Sequence, residues 1–150
     1  MSAIEAPDFT RVGLFLNPDV REAMDAEWRV CEGVIERLRA DVESASARFV
    51  LLVMPLSVQV DAESIRYRRA LGFTIDDRAL GAREPNRRLA DLCARASLNC
   101  VDALDAVKSG ADRGERLFYP LDGHTTRAGY ARIAGRVADA VLPWLETAPK

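Results

Sequence analysis

Apolar positions recur at steps of three and four residues in three long stretches of the chain. The first covers residues 18–45, the second residues 84–97 and the third residues 126–147. This spacing puts the apolar side chains on one face of a helix and the Glu and Arg side chains on the opposite face. Each stretch therefore predicts an amphipathic helix that packs on a core.

The first predicted helix should turn its apolar stripe toward the core, and so should the last. In the first helix the stripe consists of Met24, Trp28, Cys31, Val34, Ile35, Leu38 and Val42. In the last helix it consists of Tyr130, Ile133, Ala134, Val137, Val141, Leu142 and Leu145. We expect Pro143 to kink or break this last helix, because proline lacks the amide hydrogen that a helix interior needs.

Two apolar runs predict strands. Residues 49–54 form a continuous run that stops at Pro55, which is typical of a strand buried on both faces. Residues 99–102 predict a shorter second strand, and residues 73–75 fit either a third strand or a loop. Because helices and strands alternate, we expect a small parallel sheet covered by helices, which is an α/β fold.

The remaining stretches are shorter or less regular. Residues 12–16 are a weak apolar run, residues 61–71 predict a helix with Ile65 and Leu71 inward, and residues 103–108 predict a turn of helix. Three arginines of the 61–71 helix are expected in solvent, namely Arg66, Arg68 and Arg69. The composition of residues 109–114 indicates a loop. The long irregular span 56–84 is where we expect variation that faces a substrate.

The composition fits one domain over residues 1–150. The chain is 49% hydrophobic and 29% charged, and its net charge is only -2. So small a charge gives no reason to expect nucleic acid or a membrane surface as a partner. Residues 49–56 are the longest apolar run, too short to span a bilayer, and no signal peptide is recognised, so the default location is cytoplasmic.

Three cysteines, Cys31, Cys93 and Cys100, lie within apolar patterns. The favoured interpretation is that all three are small buried hydrophobic residues, while a Cys93–Cys100 disulfide stays open. No pair has the spacing of a zinc site, and the chain has a single histidine. We therefore predict no metal.

That single histidine, His124, follows Asp122 on a loop marked by Pro120 and Gly123. An aspartate beside a histidine can fix the tautomer of the ring, so that the other ring nitrogen serves as general base and then as general acid. The alternative is a surface histidine next to an aspartate that stabilises a turn. On spacing alone the alternative is favoured.

The surrounding sequence changes this balance. The segment Tyr119-Pro-Leu-Asp-Gly-His-Thr-Thr-Arg-Ala-Gly-Tyr, followed by Ala131-Arg-Ile-Ala-Gly-Arg-Val-Ala, resembles the last conserved block of the SGNH/GDSL hydrolases. Gly129 stands five residues after the histidine, as in that family, although the commonest family spacing is Asp-x-x-His rather than Asp-x-His. A long helix with a tryptophan, followed by Ala-Arg-Phe-Val-Leu-Leu-Val-Met-Pro, resembles the segment before the substrate-side loop of larger bacterial members.

The resemblance implies a three-layer α/β/α sandwich of the flavodoxin-like type and hydrolysis of a small-molecule ester. By the same resemblance, His124 is the base and acid, Asp122 is its orienting carboxylate, and no metal or organic cofactor takes part. A serine nucleophile in a Gly-Asp-Ser block belongs to the family, but this sequence contains no such block. Ser57, just after Pro55, is the serine in the least unsuitable context.

We therefore predict an incomplete sandwich, the C-terminal half of a longer domain, whose nucleophile lies outside this chain. Without that nucleophile, the His124–Asp122 pair alone should give little ester hydrolysis. The free sheet edge of the sandwich would be covered by the missing N-terminal half or by a second copy in a homodimer. Two other interpretations stay open. The chain is a catalytically inactive binding or assembly module derived from this family, or an unrelated α/β protein with a coincidental Asp-Gly-His loop.

Overall fold

The computed structural model describes residues 24–146. In chain order the elements are α1 (Asp25–Ser44), β1 (Leu51–Val53), α2 (Ser57–Val60), α3 (Ala62–Ala70), a 3-10 turn (Asp77–Ala79), α4 (Glu84–Arg95), β2 (Cys100–Asp102), α5 (Leu104–Asp112) and α6 (Arg127–Glu146). Helices dominate, and β1 and β2 form a parallel sheet. The predicted α/β class is confirmed at this level, while the flavodoxin-like sandwich stays a prediction. The apolar run 12–16 and residues 18–23 of the first predicted helix lie outside the described residues.

Helices contact both faces of the sheet. Leu52 of β1 pairs in register with Val101 of β2, so these two side chains share one face. On that face Leu52 packs against the core cluster that contains Ile133 of α6. On the other face Asp102 of β2 accepts hydrogen bonds from Asn86 of α4. The sheet therefore lies between α4 and α6.

The main core lies between the sheet, α5, α6 and the segment that leads into the histidine loop. Its buried members are Val60, Ala103, Leu104, Val107, Leu117, Phe118 and Ile133. A smaller cluster of Val58, Ile65 and Ala79 packs α2 against α3 and the 3-10 turn.

β1 was expected to be buried on both faces, but its three residues are only half-buried. Among residues 24–146 only β2 pairs with it, so its second edge has no covering strand.

Most predicted helices are confirmed, with changed ends. α4 ends at Arg95, before the predicted Ser97, and α3 keeps Ile65 inward but leaves Leu71 exposed. α5 continues to Asp112, so the loop predicted for residues 109–114 is partly helical. Lys108 and Asp112 form an ion pair at 3.1 Å one helical turn apart, which favours this extension. Residues 73–75 are a loop rather than a strand.

Two predicted apolar stripes are only partly buried. On α1 Met24 and Trp28 are buried, whereas Val34 and Leu38 are exposed. Polar contacts also join α1 to α4, such as the ion pair of Glu32 with Arg95 at 3.0 Å. On α6 Ile133 is buried, but three members of its stripe are exposed, namely Tyr130, Leu142 and Leu145. A kink or a break was expected at Pro143, and the helix is not broken there, since α6 continues through it to Glu146.

The cysteines differ from the favoured interpretation. Cys93 of α4 and Cys100 of β2 form a disulfide, with their Cα atoms 6.2 Å apart. Cys31 is exposed and free, so it is not a core residue. A lone sequence could not separate these roles, because all three cysteines stand in apolar patterns. The bond ties the C-terminal half of α4 to the start of the second strand.

The disulfide gives a stability prediction. The double variant Cys93→Ser, Cys100→Ser should lower the free energy of unfolding by about 2–3 kcal/mol, the loop-closure entropy expected for so short a loop. Urea unfolding followed by circular dichroism measures it. Cys31→Ser is the matched control and should change the midpoint little. Equal midpoints for the double variant and the unaltered protein would contradict the structural role of the bond.

Candidate functional site

A short antiparallel bridge closes the loop that carries the histidine. Phe118 pairs with Thr125, and the Tyr119 amide donates to the carbonyl of His124 at 2.8 Å. Inside the loop the Gly123 amide donates to the carbonyl of Tyr119 at 2.9 Å. Leu117 and Phe118, which enter the loop, are buried in the main core. A rigid core segment therefore holds the loop at its base.

Asp122 contacts His124 through both carboxylate oxygens. Its Oδ1 accepts a hydrogen bond from the His124 backbone amide at 2.8 Å, and its Oδ2 lies 3.1 Å from the ring Nδ1. The hydrogen bond from the His124 amide, and to a smaller extent the one from the ring, lower the pKa of the Asp122 carboxyl. Asp122 is therefore ionised at neutral pH. Asp122 and His124 thus lie together, as the sequence predicts. Their catalytic role stays a prediction.

The outer side of the ring is open to solvent. The side chain of His124 is 79% exposed and that of Asp122 is 57% exposed. With a proton on Nδ1 shared with the carboxylate, Nε2 carries the free lone pair. That nitrogen can take a proton from a bound hydroxyl or water. In the part of the chain that the structure describes, no serine hydroxyl is hydrogen-bonded to the ring.

Gly123 is required between the two residues. Its φ of +73° lies in the left-handed region, which is unfavourable for residues that carry a β-carbon. A Cβ built on it would lie 2.5 Å from Nη2 of Arg68 and 3.0 Å from Oγ of Ser57. The loop therefore packs against a guanidinium group and a hydroxyl group that come from distant parts of the chain.

α6 begins immediately after the loop. The Oγ1 of Thr126 accepts from the Gly129 amide at 3.2 Å and donates to the carbonyl of Arg116 at 2.8 Å. Thr126 therefore caps the N-terminus of α6. A Cβ on Gly129 would collide with the backbone oxygen of Leu117 and with Thr125. Glycine is needed here because the first turn of α6 lies directly on the segment that enters the loop.

Ser57 stands where β1 leads into α2. It is the first residue of α2 and is only 4% exposed. Its proximity to Gly123 places the histidine loop beside the carboxyl end of β1. Ligands of open parallel sheets commonly bind at this end. The sequence shows Ser57 as a serine after a strand, but gives no signal that this side chain meets the histidine loop.

A buried polar network fixes this corner of the sheet. The Gln59 side-chain amide donates to the carbonyl of Ala82 at 2.8 Å and to Oδ1 of Asn86 at 3.0 Å, and its oxygen accepts from the Leu56 amide at 2.8 Å. Asn86 in turn donates to both oxygens of Asp102, at 2.9 and 3.0 Å. The network orients the backbone just before Ser57, because buried polar groups that are fully paired hold a unique geometry.

Residues 24–146 contain neither a cluster of metal-binding side chains nor a helix that could span a membrane. No three Asp, Glu, Cys or His residues in this range come together as a group that could hold a metal ion. No helix described for the chain is long and apolar enough to cross a membrane.

Comparisons with known proteins return no match: no protein-family model, no curated protein and no solved structure is similar to this chain at a significant level. The relationship to the SGNH/GDSL hydrolases therefore rests on the sequence motif around His124 and stays a prediction.

Proposed function

We propose that this chain carries the base-and-carboxylate half of an ester hydrolase of the SGNH class. The observation that supports the proposal most is the contact of Asp122 Oδ2 with Nδ1 of His124 at 3.1 Å, which leaves Nε2 open to solvent. A carboxylate on one ring nitrogen and an open second nitrogen is the arrangement that general base catalysis needs.

The proposed reaction follows from this geometry. Nε2 of His124 takes the proton of a serine hydroxyl as its oxygen attacks the ester carbonyl. The ring then gives this proton to the departing alkoxide, which leaves as the alcohol. Water, deprotonated by the same nitrogen, hydrolyses the acyl-enzyme and regenerates the serine. Asp122 remains ionised throughout and stabilises the charged ring.

The serine nucleophile is proposed to lie outside this chain, since no Gly-Asp-Ser block occurs in it. The fold is consistent with an incomplete flavodoxin-like sandwich. An open apolar groove of about 460 Å³ lies between β1 and α6, lined by residues that include Leu52, Met54, Tyr130 and Val137. Strands of a missing half, or a second copy, would cover this groove and the edge of β1 that has no partner strand among residues 24–146.

A second candidate function is an inactive binding or assembly module of the same origin. The observation that favours it is the lack of a serine hydroxyl bonded to His124 within residues 24–146. Both candidate functions share the fold, so only the reactivity of the His124 ring distinguishes them. An activated ester can test this reactivity without a serine nucleophile, because its leaving group departs readily.

The test is turnover of p-nitrophenyl acetate by the purified chain, compared with an equal concentration of free imidazole. The hydrolase proposal predicts a rate about tenfold or more above that of imidazole, since Asp122 orients the ring as a base. Diethyl pyrocarbonate, which acylates histidine rings, should abolish the difference, and His124 is the only histidine. A rate equal to that of imidazole would favour the binding module.

A further inference from the structure

Two polar side chains converge on the residue between Asp122 and His124. The guanidinium of Arg68, from α3, lies over Gly123, with Nη2 2.5 Å and Cζ 3.6 Å from the position that a Cβ would take. The hydroxyl of Ser57 lies 3.0 Å from the same position. The sequence pattern predicts Arg68 in solvent, but the structure shows it half-buried against the histidine loop.

Arg68 differs from the arginines beside it on α3. Arg66 pairs with Glu63 at 3.1 Å, and Arg69 pairs with Asp77 at 2.8 Å. Within residues 24–146, Arg68 has no ion pair with a carboxylate. The guanidinium therefore retains donors for a ligand.

We propose that Arg68 and Ser57 form an anion subsite beside His124, which binds a carboxylate or phosphate group of the substrate. A guanidinium offers parallel N–H donors that match the oxygens of these groups, and the hydroxyl adds a third donor. Ser57 is held in place because the Gln59 network fixes the backbone before it. The assignment of the anion to a substrate rests on the proposed ester hydrolase function, whereas the binding of the anion does not.

The subsite gives the hydrolase a substrate preference. An ester whose acyl or alcohol part carries a negative charge would be held with its charge on Arg68. Its ester group would then lie within reach of Nε2 of His124, and the charge of the substrate would fix its orientation. Neutral esters lack this contact, so they should react at the same ring without being oriented.

The binding test follows the amide signal of Gly123 by ¹⁵N–¹H NMR. Sodium acetate and sodium phosphate are titrated into the full chain at constant ionic strength with chloride as the balancing anion, and their separate curves show which oxyanion is preferred. We expect a saturable shift with at least one of them. Arg68→Gln should weaken anion binding about tenfold or more. Arg66→Gln, two residues earlier on α3, should leave it unchanged. No saturable shift, or equal shifts in both variants, would overturn the subsite.

A kinetic arm separates this proposal from the hydrolase proposal. The chain is given p-nitrophenyl acetate and the acidic ester mono-4-nitrophenyl succinate. The subsite predicts a higher kcat/KM for the acidic ester, a preference that Arg68→Gln removes and Arg68→Lys retains in part. Anion binding at Gly123 without turnover of either ester would keep the subsite and reject the hydrolase. Turnover of both esters with no preference would reject the subsite alone.

Discussion

His124→Ala should lower the turnover of p-nitrophenyl acetate by the chain to the rate of buffer alone. The variant removes the only imidazole, and with it the lone pair on Nε2 that accepts the proton. Its side chain is 79% exposed and packs into no core, so the fold should survive. The expected loss equals the whole excess over buffer that the intact chain shows, and this rate is expected to lie about tenfold or more above that of free imidazole.

Two further variants define what the loss means. Asp122→Asn should lower turnover about tenfold, to near the rate of free imidazole, because an amide can donate to the ring and then favours the wrong tautomer. Asp139→Asn removes an exposed carboxylate on α6 and should leave turnover unchanged. Added imidazole should restore part of the activity of His124→Ala. A rate that His124→Ala leaves intact would contradict any role of this loop in hydrolysis.

Gly129→Ala should lower the free energy of unfolding by about 2–3 kcal/mol. The added methyl group meets the backbone oxygen of Leu117 and the side chain of Thr125, and a backbone atom of a core segment has little room to move. Overpacking of this kind costs about 1–3 kcal/mol. The substitution should also loosen the base of the histidine loop, since Leu117 enters that loop.

Gly135→Ala is the matched control on the same helix. A Cβ on Gly135 has nothing within 4 Å, so alanine should raise stability by about 0.5–1 kcal/mol through its better helix propensity. Urea midpoints of the two variants should therefore move in opposite directions. Movement in the same direction would contradict the close contact of α6 with Leu117 and Thr125.

Helix periodicity predicted the elements whose apolar face is buried. α4 follows its predicted pattern because Leu92 and Cys93 pack inward, and α3 does so through Ile65. The pattern was less informative about burial where an amphipathic face has no covering element within residues 24–146, as for Val34 and Leu38 of α1. Periodicity states which residues share a face, but not whether another part of the chain covers that face.

The features that the sequence did not reveal depend on long-range contacts. α2, a four-residue helix, is too short for a periodic pattern, and it is held by the Gln59 network with Asn86. The disulfide needs the proximity of α4 to β2. In the same way, the pair Asp122 and His124 was readable because it is local, whereas the approach of Ser57 and Arg68 to Gly123 joins distant segments.

The most direct measurement is the tautomer of the His124 ring, read by long-range ¹H–¹⁵N NMR at a pH where the ring is neutral. Because Asp122 Oδ2 lies 3.1 Å from Nδ1, we predict a proton on Nδ1 and a free lone pair on Nε2. Asp122→Asn should lose this preference, and Asp139→Asn should keep it. A proton on Nε2 in the unaltered protein, with no change in Asp122→Asn, would contradict the claim that Asp122 prepares His124 as a base.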